Sequence, residues 1–148
     1  MPSWRARSSG CCGAGRFRYH PLANRPDLDV HLLVPERWQE YGRVLRADPP
    51  DDPGITVHVR PVVLGKVGPA GWYCHLYPGL GRLIREIQPD VIHLAEEPWS
   101  FVALQAYLLR GGASLVVEVD QNVLRRLPQP FEAIRRFILP RTAHLLSR

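Results

Sequence analysis

At 148 residues and 45% hydrophobic content the chain suits one domain with a real core, and no apolar run approaches the ~20 residues that span a bilayer. Its net charge of +5 belongs to the amino-terminal end: residues 1–26 hold Arg5, Arg7, Arg16, Arg18 and Arg25 and no acid, while the remaining 14 basic and 14 acidic residues balance, which argues against a nucleic-acid-binding surface on the fold. Three cysteines, the adjacent Cys11-Cys12 and a lone Cys74, make neither a disulfide framework nor a C-x-x-C metal motif, so a reducing, cytoplasmic setting is expected.

Residues 1–16, MPSWRARSSGCCGAGR, show neither helical nor strand periodicity and read as a disordered basic tail. A transit peptide and a misplaced start or shifted frame in an arginine-biased gene are the other readings of this stretch. Order begins at Phe17. Phe17–Ala23 reads as the end of a helix closed by the turn Asn24-Arg25-Pro26-Asp27. Asp29–Pro35 (DVHLLVP) reads as a strand, and the proline-rich Ala47–Gly54 (ADPPDDPG) as a loop. Ile55–Val63 alternates as a second strand with Ile55, Val57 and Val59 on one face. After the glycine-rich link Leu64–Gly71, Trp72–Gln88 reads mostly as a helix. Its apolar stripe is Leu76, Leu80, Leu83, Ile84 and Ile87, and Pro78-Gly79 loosens it.

Val91–Ala95 (VIHLA) is too short for a helix and too apolar for a strand with a wet face, so it is expected to be buried on both sides in a parallel sheet. It empties into Glu96-Glu97. Pro98 suits the first turn of a helix that runs to about Arg110 and stops at Gly111-Gly112. Leu115–Val119 (LVVEV) is another buried strand, followed by Asp120-Gln121-Asn122. Pro130–Leu139 is an amphipathic helix with Phe131, Ile134, Phe137 and Ile138 inward, and Ala143–Leu146 a last strand. The order β-β-α-β-α-β-α-β with short links predicts an α/β fold, a doubly wound, Rossmann-like parallel sheet.

Ligands of such sheets bind beyond the carboxyl ends of the strands, which is where Glu96, Glu97, Asp120, Gln121 and Asn122 fall. A carboxylate accepts hydrogen bonds from a ligand's hydroxyls. The competing reading of Glu97 is a charge that caps the Pro98 helix, and that of Asp120-Gln121-Asn122 is ordinary turn chemistry. Trp72, Tyr73 and Trp99 can stack on a ligand's face or simply pack. His93 reads as a core histidine inside its strand, with function as the alternative. Cys74-His75 offers two metal ligands without partners. Arg125-Arg126 and Arg135-Arg136 are the solvated side of helices or a peripheral membrane contact. No G-x-S-x-G elbow, phosphate loop or H-E-x-x-H is present, and Gly13-Ala14-Gly15 lacks the preceding strand of a dinucleotide fingerprint.

PDVIHLAEEPWS, the GLGRLIREIQ helix before it, and VVEVDQN followed by PFEAIRRFILPRTAHLL resemble the amino-terminal domain of family 4 glycosyltransferases, and DVHLLVPERW resembles that domain's second strand. The match covers residues 19–148, so 17–148 is expected to be a partial acceptor-side domain. The resemblance implies one half of a two-domain GT-B architecture and a retaining transfer of sugar from a nucleotide-sugar donor. Glu96, Glu97, Asp120, Gln121, Asn122, Trp72 and Tyr73 would then lie on the acceptor side. It implies no cofactor and no metal for this half, the nucleotide sugar being a substrate. Its partners would be a sugar, lipid or small-molecule acceptor, and a donor-binding domain on a continuing or separate chain. The setting would be cytoplasmic, with peripheral contact to the inner membrane face as an option. Which residues would be catalytic is left open.

Three departures accompany the resemblance. Ala95 stands where many relatives have a second histidine, and none occurs near Gln121. The donor half with its Glu-x7-Glu pair is not in the chain, so this half alone is expected to be inactive. The usual first strand and its glycine turn are not recognisable. In the order 3-2-1-4-5-6 that strand is central. Without it, five or six buried backbone groups would go unsatisfied at about 1–3 kcal/mol each, against a typical stability of ~5–15 kcal/mol. The chain is therefore expected to be marginally stable unless Ser9–Arg16 supplies a substitute strand, and a cooperative, high-stability guanidinium transition would exclude this. The alternative function is a noncatalytic, doubly wound binding or interaction module.

Overall fold

A computed structural model describes residues 13–40, 43–65, 71–119 and 126–147. The chain forms two compact units, Met1–Val62 and Val63–Arg148. It is mixed α/β with parallel sheets.

The first unit opens with a helical turn, α1 (Gly13–Arg16), a 3-10 turn at Phe17–Tyr19 and α2 (His20–Ala23). Gly13–Arg16 is thus helical rather than the substitute strand proposed for Ser9–Arg16, whose earlier residues lie outside the described ones. Strand β1 (Val30–Pro35) pairs in parallel with β4 (Ile55–Arg60), from Val30 opposite Ile55 to Pro35 opposite Arg60. Between them lies a hairpin that no element was assigned to from sequence: β2 (Arg37–Glu40) antiparallel to β3 (Arg43–Arg46). Its pattern is hard to read because charges occupy both ends of each strand, and Trp38 opposite Leu45 is its apolar pair.

Residues 47–54 carry no regular element, as their prolines dictate. What shapes this loop is Arg16, whose residue exposure is 0%. Its guanidinium donates to Asp48 O (2.9 Å), Pro49 O (3.0 Å) and Asp52 Oδ2 (3.0 Å). His20 Nε2 stands 3.2 Å from the other oxygen, Asp52 Oδ1. The last loop residue, Gly54, has φ +74°, and a Cβ there would meet Ala23 at 3.3 Å.

In the second unit, α3 (Gly71–Cys74) is a single turn and α4 (Leu80–Ile87) a separate helix. The continuous helix expected over Trp72–Gln88 is therefore broken, for a local reason. Pro78 disfavours helical backbone at Tyr77, and Gly79 enters α4 at φ +82°. The extended segment between the helices makes other bonds. Leu76 exchanges two backbone hydrogen bonds with Val63 (3.0 and 3.1 Å). The Gln105 amide grips Tyr77, accepting from its N–H (3.0 Å) and donating to its carbonyl (2.9 Å).

Strands β5 (Val91–Leu94), β6 (Ser114–Val119) and β7 (His144–Ser147) form a parallel sheet in that order. Between them run α5 (Phe101–Leu109) and α6 (Phe131–Ile138). α5 packs against α6 and also meets α3 and α4. Under this layer sit Leu115, Val117, Ala103 and Ile138, all without measurable exposure.

β5 itself departs from expectation. It is the edge strand of this sheet, with Val91 56% exposed and His93 exposed, whereas Ile92 and Leu94 are half-buried. Among the described residues β5 pairs with β6 alone, and pairing on one side covers only part of a strand, however apolar its sequence. Phe137 is corrected likewise: at 36% exposure it lies at the margin of the core, edge-on to Tyr107, with Arg141 over its ring. Phe131 is half-buried, and Ile134 and Ile138 are buried as expected.

Candidate functional site at the carboxyl end of β5

β5 stops at Leu94 because the next residues turn rather than extend. Ser100 N–H donates to Glu97 O (3.0 Å), closing a tight turn across Glu97–Ser100. Ser100 then takes extended backbone (φ −73°, ψ 155°), and its Oγ accepts from Ala103 N–H (3.2 Å). The helix therefore begins at Phe101, not at Pro98, and its N-cap is Ser100. This corrects the reading of Glu97 as the helix cap, since a serine three residues later fills that role.

The two adjacent glutamates have unlike surroundings. Glu97 is 1% exposed and shares its burial with Pro98, Trp99 and Ser100. Glu96 is half-buried as a residue, with its Oε2 screened from solvent, so it is the less buried of the pair. The same turn carries Trp99, a member of a chain of aromatic rings. Tyr73 stands 6.0 Å from Trp99 and 6.1 Å from Phe131, and Phe131 5.8 Å from Phe101. These edge-on and tilted spacings are those of favourable aromatic packing. Trp99 is buried inside the cluster, while Tyr73 keeps partial exposure. Trp72 shares the α3 turn with Tyr73. Asp120, Gln121 and Asn122 lie outside the described residues, directly after the end of β6 at Val119.

His93 is not the core histidine expected of a buried strand. Its Nε2 stands 3.4 Å from Oε2 of Glu118 on the adjacent strand, with side-chain exposures of 32% and 6%. Sequence reading passed over Glu118. Its signal was an acid inside LVVEV, two residues from Val116, which pairs with His93. Cys74 and His75 do not act together as a pair of exposed ligands. His75 is buried edge-on to Tyr77, and burial pushes the Cys74 thiol up, away from the thiolate form. No group of three or more His, Cys, Asp or Glu side chains that could hold a metal occurs among the described residues.

The Arg135-Arg136 pair is tied to its own helix. Glu132 takes Arg135 at 2.7 Å and Arg136 at 2.8 Å. A bond from Leu127 N–H, helped by both arginines against the cost of burial, holds the Glu132 carboxyl below its usual range. No described helix is long and apolar enough to cross a membrane. Comparison with protein-family models, with characterised proteins and with solved structures returns no match.

Proposed function

We propose that this chain is the acceptor-side domain of a retaining, GT-B type glycosyltransferase resembling family 4, corresponding to one half of the doubly wound architecture. The observation that carries the reading is the position of Glu96 and Glu97, at the carboxyl end of a parallel strand and in the turn that carries Trp99, whose ring stands 6.0 Å from Tyr73. Strand order supports it as well. β4 and β1 have the sense and adjacency of strands 3 and 2 in the order 3-2-1-4-5-6, and β5, β6 and β7 those of strands 4, 5 and 6.

In this reading Glu96 accepts a hydrogen bond from an acceptor hydroxyl and Tyr73 flanks the acceptor, while buried Glu97 and the Ser100 cap keep the turn rigid. Holding the hydroxyl near the donor's anomeric carbon makes the attack effectively unimolecular. The donor-binding half supplies stabilisation of the departing nucleotide. The nucleotide sugar is then a substrate of the two halves together, and this half requires no metal.

The test is saturation-transfer NMR on the chain with mono- and disaccharide acceptors and, separately, with nucleotide sugars. Saccharide binding that falls in Glu96→Gln, with negligible nucleotide-sugar binding, is the expected result. Tight nucleotide-sugar binding by this half, or saccharide binding indifferent to both Glu96→Gln and Tyr73→Phe, would overturn the assignment. Saccharide binding that never leads to transfer when a donor-binding half is joined to the chain would favour the noncatalytic module.

A further inference from the structure

β1 and β4 each carry a histidine in mid-strand, and their register puts both on one face. His58 pairs with Leu33, and His31 lies two residues before Leu33 on the same side of the pleat. The rings approach nitrogen to nitrogen, with His31 Nδ1 2.9 Å from His58 Nε2 and their planes within 10°. The other nitrogen of His31, Nε2, stands 3.2 Å from Asp29 Oδ2. An ionised carboxylate only accepts, so of the two neutral tautomers of His31 the one protonated on Nε2 is the one that can donate to Asp29. That tautomer would turn the lone pair of Nδ1 towards His58.

We propose that His31 and His58 form a two-histidine site for a borderline divalent transition cation, zinc being the probe of choice, with Asp29 as the outer carboxylate of His31. Imidazole nitrogens suit zinc, copper and nickel, whereas magnesium and calcium require oxygen ligands. Zinc–nitrogen bonds of about 2.0–2.1 Å in tetrahedral geometry set the two nitrogens about 3.3 Å apart with the metal off the line between them, so binding requires the nitrogens to part from 2.9 Å and both rings, now nearly coplanar and head-on, to turn towards the metal. The metal takes the place of the one proton that two facing ring nitrogens can share. His58 frees its Nε2 by carrying its own proton on Nδ1, so no net charge need leave the pair. A carboxylate on the outer nitrogen of a ligating histidine fixes its tautomer and strengthens it as a ligand.

No third His, Cys, Asp or Glu converges there among the described residues, and His31 is partly exposed. Water therefore completes the coordination, and the cation exchanges freely. Its structural effect is to bridge β1 and β4, which form a sheet of two strands among the described residues, an arrangement that is marginal by itself.

The experiment is calorimetric titration of the full chain with zinc, with the melting temperature followed in parallel. One zinc per chain and a melting temperature that rises with zinc concentration are expected, and magnesium has no such effect. His31→Ala and His58→Ala each abolish the tight phase, and Asp29→Asn weakens it about tenfold. The double variant keeps His20, His75, His93 and His144, so zinc binding that survives in it overturns the site. The wild-type chain gives a check that no variant can confound: bound copper(II) should show electron-spin coupling to two ring nitrogens. Coupling to one or none, or no zinc binding at millimolar metal, also overturns it.

Discussion

Arg16 in the first unit and Leu115 in the second are both wholly screened from water, yet they hold their surroundings by opposite means. Around Leu115 the neighbours are apolar: Val117, Ala103 and Ile138 are equally buried, and removal of their surface from water supplies the drive. Around Arg16 the neighbours are two loop carbonyls and the Asp52 carboxylate. A buried ion pair of this kind adds little over an apolar substitute but is costly to break, because the remaining charge has no water. The first unit should therefore fail sharply when one polar partner is lost, whereas the second should lose stability in proportion to the volume removed.

Breaking that contrast is the most informative use of substitutions. Arg16→Ala leaves Oδ2 of Asp52 and two carbonyls without their donor and is expected to destabilise the first unit by about 3–5 kcal/mol. Segment-resolved hydrogen exchange should show the loss in peptides over 47–60, with 101–119 retained. Adding Asp52→Ala to that variant should recover part of the loss, and a double variant no better than the single one would argue against the pair as the cause. Leu115→Ala should cost about 2–5 kcal/mol by the cavity it leaves, read as a lower denaturation midpoint with exchange rising in 101–119 first.

A smaller effect is expected at Ser100, where Ser100→Ala removes the helix cap at a cost of roughly 1 kcal/mol. Ser100→Asp should retain most of the stability. If Glu97 rather than Ser100 were the cap, Ser100→Ala would be silent. The mildest test is acid. Burial pushes the Asp52 carboxyl up, but hydrogen bonds from Arg16 and His20 outweigh it, and the net position is below the usual range. A carboxyl held low in the folded state contributes its full stability above the unfolded value of about 4. That contribution disappears as pH falls through the lower folded value. Exchange protection of the first unit should thus decline below about pH 4, and Asp52→Asn should flatten that limb while leaving the second unit's profile unchanged.

Particular residues show where the sequence was legible. Val30–Pro35, Ser114–Val119 and Phe131–Ile138 follow their apolar periodicity to within a residue or two. The loop at 47–54 follows from its prolines. The hairpin at Arg37–Arg46 escaped notice because four residues per strand give too few alternations to stand out among charges. The break in Trp72–Gln88 was visible as Pro78-Gly79. What replaces the helix there was not, since Val63 and Gln105 are distant in sequence and reach Leu76 and Tyr77 only through the fold. At the candidate site, the placement of Glu96-Glu97 after a strand could be read directly, but the deeper burial of Glu97 than of Glu96 could not.

The sequence by itself determined the α/β character, the alternation of strands and helices, and the carboxylates beyond the VIHL strand. All of these rest on periodicity, turn residues and the stereochemistry of neighbouring backbone. Only the tertiary structure decided that an apparent tail residue, Arg16, is the buried anchor of a loop. It also decided that β5 is an edge of its sheet among the described residues, and that His31 and His58 meet across two strands. Each of these depends on partners brought together from 27 to 36 residues away, or on which faces go uncovered. Burial and pairing across such distances are properties of the packed chain, and no local pattern encodes them.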